Sequence, residues 1–173
     1  DAVRGEVILF GGRDAFGVNL NDTWAWNGTD WTQKTPANRP PPRHGQAMAF
    51  DGAQVVLFGG QTSSTMFGDT WSWDGLNWTE RNPVNHPLPR ALHAMAFDAS
   101  RKQIVLYGGA GFFQVEGLNT TWTWDGTDWT ERGAVNNPSS WILLFHAMAY
   151  DVARDRVILF GGYDQTDVSN GVI

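Results

Sequence analysis

Cysteine is absent from the 173 residues, and with it go disulfides, thiolate metal sites and cysteine nucleophiles. That absence fits a reducing or an oxidising compartment, with a secreted or extracellular setting the preferred expectation. No apolar run approaches the roughly 18 residues of a membrane span, and no charged-then-apolar leader precedes Asp1, so no membrane span and a soluble chain are expected. Basic residues are few: 12 Lys and Arg stand against 18 Asp and Glu, a net charge of -6. Without clustered Lys and Arg, nucleic acid is not an expected partner. Helical spacing is missing as well, because Gly, Pro or a tryptophan hairpin interrupts every candidate stretch, so the chain is read as all-β. There is no Gly-x-Ser-x-Gly, no phosphate-cradling glycine loop and no His-x-x-x-His on a helix. No catalytic residue, cofactor or metal is therefore assigned, and a non-enzyme is expected. Asp164, Asp167 and Asn170 could be imagined around calcium, but polar loops of that kind are common and the site is set aside.

What the chain has in quantity is tryptophan, ten residues, and glycine, twenty, and both fall into a repeat. Ala94 to Gly109 reads Ala-Met-Ala-Phe-Asp-Ala-Ser-Arg-Lys-Gln-Ile-Val-Leu-Tyr-Gly-Gly; it recurs at 47–60 and 147–162, and residues 1–12 match 98–109, lacking only the Ala-Met-Ala-Phe part. The steps from Gly11 to Gly59, Gly108 and Gly161 are 48, 49 and 53 residues, a length that holds four short strands. Val-Ile-Leu-Phe-type runs suit a strand covered on both faces. The Gly-Gly that follows allows positive φ and close approach, so it predicts a strand end pressed against something large, with tryptophan the candidate. About a dozen residues on come Trp24, Trp26, Trp31, then Trp71, Trp73, Trp78, then Trp122, Trp124, Trp129. The first two of each set share a strand face. Asn27-Gly28, Asp74-Gly75 and Asp125-Gly126 signal a hairpin that starts strand four at the third tryptophan.

A four-stranded meander cannot bury both faces alone, so such units stack radially as propeller blades. Four apolar residues, Gly-Gly, a spaced aromatic and a Trp resemble the kelch repeat, and Val157 to Asp164 is especially similar to it. Trp26, Trp73 and Trp124 stand where that family usually has Tyr, while Trp31, Trp78 and Trp129 match its Trp. The resemblance covers essentially the entire chain. It implies an all-β array of kelch-type blades, each a four-stranded antiparallel meander, with repeat boundaries near 1–46, 47–93 and 94–146 and a partial unit at 147–173. On function it is nearly silent, because kelch propellers include adaptor modules, carbohydrate-binding proteins and a few enzymes. About three and a quarter repeats make an incomplete ring, since closure takes about four to eight blades. A piece of a longer array is favoured over closure by several copies, a possible homo-oligomer.

The tryptophan triplets recur with the scaffold and are assigned to packing between blades. Recognition is assigned to the unequal loops, strand two to three and strand four to the next strand one, which leave the same face of the disc. Several are unexpectedly apolar: Phe16, Met66, Phe67, Phe112, Phe113 and the run Trp141-Ile142-Leu143-Leu144-Phe145. That run replaces a repeated arginine, Arg43 or Arg90, by Leu143 and holds the tenth tryptophan. It is either a contact surface anchored by Trp141 or a plug over a neighbouring blade. Arg43 and Arg90 could bind an anionic group, or pair with an acid or cap a carbonyl inside the array. The candidate binding residues are Phe16, Phe67, Phe112, Phe113, Trp141, Arg43 and Arg90. A non-catalytic binding scaffold for a protein partner is the preferred reading. The alternatives are a lectin-like propeller whose aromatics stack on a glycan, and a segment of a kelch enzyme whose catalytic residues lie elsewhere. His93 and His146 align with Gln46, which breaks any metal triad and points to hydrogen-bonded strand residues.

Overall fold

The computed structural model describes residues 1–112, 118–134, 136–138 and 143–164. The described residues form strands, turns and bends, and they include no helix long and apolar enough to cross a membrane. In chain order β1 (Val7–Arg13), β2 (Asn19–Trp26) and β3 (Trp31–Lys34) make a three-stranded antiparallel sheet. Next, β4 (Ala47–Phe50), β5 (Val55–Phe58), β6 (Thr70–Trp73) and β7 (Trp78–Arg81) make a complete meander in sequential order. β8 (Ala94–Asp98), β9 (Gln103–Tyr107), β10 (Thr121–Trp124) and β11 (Trp129–Arg132) repeat it. The fourth unit has β12 (Leu143–Leu144) paired with β15 (Tyr163–Asp164), and β13 (Ala147–Asp151) paired with β14 (Arg156–Phe160). The first strands β4, β8 and β13 lie beside one another, which places them around a common axis.

Each hairpin between strands three and four is a four-residue turn built by its first residue. In Asn27 to Asp30 the Asn27 side-chain oxygen accepts from the N–H of Thr29 and of Asp30, both at 2.9 Å, and Asn27 N–H donates to the Asp30 carbonyl. Asp74 and Asp125 do the same in their units. Gly28, Gly75 and Gly126 supply φ near +100°, a conformation that costs an L side chain energy. The turn fixes register, so Trp26 faces Trp31, Trp73 faces Trp78 and Trp124 faces Trp129 across the strands.

Those third tryptophans lock one sheet to the one before it. Trp78 meets the Phe10 ring edge-on, 5.3 Å between centroids, and its Nε1–H donates to Thr23 Oγ1 at 2.9 Å. Trp129 repeats the contact on Phe58 at 5.3 Å and on Thr70 Oγ1 at 3.0 Å. One core cluster joins Phe10, Val55, Leu57, Trp71, Trp73 and Trp78, and a second joins Val56, Phe58, Met95, Ile104, Leu106, Trp124 and Trp129. β5 is accordingly buried on both faces, whereas β14 alternates because the side that would meet a further sheet is open. The ring is not closed: Phe160, the counterpart of Phe10 and Phe58, is 82% exposed, and Trp31 is 46% exposed.

Candidate interaction face

The loops of this candidate face are held from beneath by backbone and arginine contacts rather than by tryptophan. The second glycine of each pair donates its N–H to a carbonyl of the following unit: Gly12 to Arg43, Gly60 to Arg90, Gly109 to Leu143, at 2.9–3.0 Å. A Cβ on the first glycine would collide with that same carbonyl, at Gly59 against Arg90 and at Gly108 against Leu143, where Leu143 O would lie at 2.8 Å. Gly-Gly is thus the price of a carbonyl and an imidazole, not an indole, coming close; the His93 ring would be 3.1 Å from a Cβ at Gly59. One residue past the arginine position, His44, Ala91 and Leu144 pair with Gln61, Ala110 and Tyr163 just after the glycines, tying each strand-four-to-one loop to its strand-two-to-three loop.

Arg43 and Arg90 are fully buried and act as internal clasps. Arg43 donates Nη1–H and Nη2–H to the two carboxylate oxygens of Asp69 at 2.5 and 2.8 Å, Nη1–H also to the Gly59 carbonyl, and Nε–H to the Pro41 carbonyl. Its guanidinium lies 3.8 Å over the Phe67 ring. The bidentate fork and the stacked ring satisfy the cation without water. Arg90 does the same with neutral acceptors, the carbonyls of Gly108, Leu118 and Leu88 and the Thr120 hydroxyl. Burial lowers its pKa to about 10, against a weaker opposing pull from Glu131, so it stays charged at neutral pH. Of the two roles the sequence leaves open for them, these contacts match the internal one; beyond the local Pro41 and Leu88 carbonyls their partners lie 16 to 30 residues downstream, out of reach of a local reading.

At the interface between units Gln46 donates Nε2–H to the Phe10 carbonyl at 2.7 Å. His93 takes that position one unit on, its ring 5.7 Å from Phe58, and His146 sits 5.8 Å from Tyr107. The Phe58 carbonyl is close enough to favour a proton on His93, yet neither imidazole nitrogen meets a partner in hydrogen-bond geometry. Burial, then the positive charge of Arg90, pushes the His93 pKa down to about 3; burial lowers His146 as well. Both rings are thus neutral packing groups at ordinary pH. Among the described residues no three His, Asp or Glu side chains are placed to hold a metal ion.

Above these clasps three loops from two units meet around an apolar groove of about 520 Å³ lined by Ser64, Thr65, Met66, Leu88, Pro89, Gly111, Phe112 and Leu118. Residues 61–69 and the described residues 110–112 and 118–120 belong to strand-two-to-three loops, and 82–93 is the strand-four-to-one loop between them, so both loop classes contribute to one groove. A hollow of about 210 Å³ adjoins it and shares Met66, Gly111 and Phe112. Of the candidate residues Phe112 lines the groove and is half exposed. Phe67 lies beside it but under Arg43, half-buried. Phe16 projects from a separate turn of the first unit, 91% exposed, where Asp14 accepts from the N–H of Phe16 and Val18. Phe113 and Trp141 lie outside the described residues, as do Asp167 and Asn170. In the apolar run, Leu143 and Leu144 are buried in β12 and Phe145 is exposed with φ +57°. Leu88, Pro89 and Leu118 escaped the sequence reading; Leu88 and Pro89 look like register marks before Arg90, and Leu118 lies 30 residues beyond Leu88.

A family description of the KLHDC2/KLHL20/DRC7 Kelch-repeats domain matches residues 1–162. The chain belongs to the kelch-repeat family. The match reaches into all four kelch units, from the three-stranded sheet through the Gly161-Gly162 pair of the last one. No curated protein sequence matches the chain significantly. Its groove and clasps are accordingly read from its own residues.

Proposed function

We propose that this kelch array is a non-catalytic binding scaffold whose loop face seats apolar side chains of a protein partner. The observation that carries the reading is the groove: Met66, Leu88, Pro89, Phe112 and Leu118 converge from three loops that differ among units whose scaffold repeats. Concave apolar pockets of this size bury an anchor side chain, and a few such anchors supply most of the affinity of an interface. Kelch-repeat domains are typically protein-interaction scaffolds, which supports this reading. Phe112 anchors the proposed contact, and exposed Phe16 provides a separate point on the first unit.

Panning a displayed random-peptide library on the folded chain tests this directly. Selected peptides are expected to carry an aromatic or long aliphatic anchor and to lose about tenfold or more in affinity on Phe112→Ser, with the urea midpoint unchanged. Peptides indifferent to Phe112→Ser and Met66→Ser would overturn the assignment. So would strong binding on a glycan array that vanishes in Trp141→Ala, which would move the face to sugars.

A further inference from the structure

We infer that Asn27-Gly28 is a site of spontaneous covalent modification, at which an exposed turn converts Asn27 into the aspartate that the second and third units already carry at the same place. The inference is independent of the groove and rests on the chemistry of one hairpin turn compared with its two sisters. Asn27 and Gly28 are both exposed between β2 and β3. That exposure belongs to the turn, because Asp74 and Asp125 are exposed at the equivalent place in the second and third units, which pack on other sheets. Asparagine followed by glycine is the pair best suited to closing a succinimide ring, since the next residue has no side chain to shield its amide nitrogen. A Cβ built on Gly28 would meet nothing within 4 Å, and the Gly28 N–H takes no part in the turn's hydrogen bonds.

The turn also prepares the electrophile. Oδ1 of Asn27 accepts from the N–H of Thr29 and of Asp30, both at 2.9 Å. When the Gly28 nitrogen attacks Asn27 Cγ, negative charge develops on that oxygen, and two backbone donors are already aimed at it. The N–Cγ bond forms, the Cγ–Nδ2 bond breaks, and the amide proton leaves with Nδ2 as ammonia, closing a succinimide. Water then reopens the ring. Addition at Cγ breaks the new N–Cγ bond and restores the backbone with an aspartate side chain, whereas addition at the Asn27 backbone carbonyl gives isoaspartate and lengthens the main chain. The donors that polarise Cγ favour the first route. Its product is a group this turn is built to hold. Oδ1 of Asp74 accepts from the N–H of Leu76 and Asn77 at 2.8 and 2.7 Å, and Oδ1 of Asp125 from those of Thr127 and Asp128 at 2.8 and 2.9 Å. The N–H groups of Asn77 and then Leu76 hold the Asp74 carboxyl below its ordinary pKa, so a carboxylate strengthens the turn. The converted chain keeps Trp26 opposite Trp31 and gains one negative charge on the first unit. A second Asn-Gly pair, Asn170-Gly171, lies outside the described residues.

Incubating the folded chain in warm, mildly alkaline buffer and mapping it with trypsin and fragment-ion sequencing tests this. The peptide of residues 14–34 should gain about 1 Da at Asn27, and not at Asn19 or Asn21. At position 27 the share of aspartate over isoaspartate should exceed that in a synthetic peptide of residues 14–34 treated alike. Gly28→Ala should slow the conversion about tenfold or more. Far-UV circular dichroism checks that this variant is folded; should it unfold, the product ratio in the parent chain still decides. A chain made with Asn27→Asp should keep the parent's urea midpoint or rise slightly above it. Four outcomes would overturn the proposal: an intact Asn27 after an incubation that converts the synthetic peptide, a share of aspartate no greater than the peptide gives, equal conversion in folded Gly28→Ala, or a midpoint lowered by Asn27→Asp. Because the groove peptides depend on Phe112 and this conversion on Asn27, failure of one reading leaves the other measurable.

Discussion

In the second unit Asp69 holds Arg43 at 2.5 and 2.8 Å and Trp78 is wholly buried; in the first, Asp22 holds only Trp24 and Trp31 is half in water. The two units share Asp-Thr-Trp-x-Trp and the same hairpin, so local sequence does not account for the difference. What differs is the neighbour: the second unit has a sheet on either side and a strand at its inner edge. Blade stability in this array is therefore borrowed across interfaces, as expected for a quasi-one-dimensional repeat.

Removing the clasp should have the largest effect. Arg43→Ala leaves the Asp69 carboxylate without its cation and is expected to lower the unfolding free energy by about 3 kcal/mol, the lower end for breaking a buried pair because Asp69 is partly solvated. Chemical denaturation measures it. Gly59→Ala combines φ +67° with a collision against the Arg90 carbonyl and should cost about 2–3 kcal/mol, whereas Gly28→Ala, with φ +99° but open space, should cost about 1 kcal/mol. Asp69→Asn and Asp22→Asn then separate the two units: about 2 kcal/mol is expected for the first and less than about 0.5 for the second, since Asp22 has no cation to lose. Equal losses would erase the contrast.

Interface polarity adds a pH dependence. His93 is neutral in the folded chain down to about pH 3, while an unfolded histidine takes up its proton near 6.5, so the unfolded state binds the proton first. Stability is full above about pH 6.5 and falls as the pH drops from there toward 3, by up to about 1.4 kcal/mol per pH unit. His93→Gln, which copies Gln46, should flatten that slope and gain a bond to the Phe58 carbonyl. An unchanged slope would place the acid sensitivity elsewhere.

The periodic part of the fold was legible because it repeats in register: Gly-Gly, the spaced tryptophans and the Asn-Gly or Asp-Gly turns each report local geometry. For Arg43 and Arg90 that reading leaves two roles open, an anion contact or an internal partner for an acid or a carbonyl, since sequence alone does not show that Asp69 and the Gly108 carbonyl fold back over them. A signal was available in the acids of Asp22-Thr23-Trp24 and Asp69-Thr70-Trp71, which repeat as the arginines do. The groove was illegible for another reason. Leu88 and Leu118 belong to different loops and become neighbours only when two sheets pack. Glycine was read correctly as a point of close approach, but what approaches is a carbonyl, whose position no side-chain pattern encodes.

Comparing urea unfolding of Trp78→Ala with that of Trp31→Ala most directly probes whether indoles join successive sheets. The expected losses are about 3–5 kcal/mol for Trp78, which packs on Phe10 and bonds Thr23, and about 1 kcal/mol or less for Trp31. Similar losses at both positions would contradict that role and assign the tryptophans to their own hairpins.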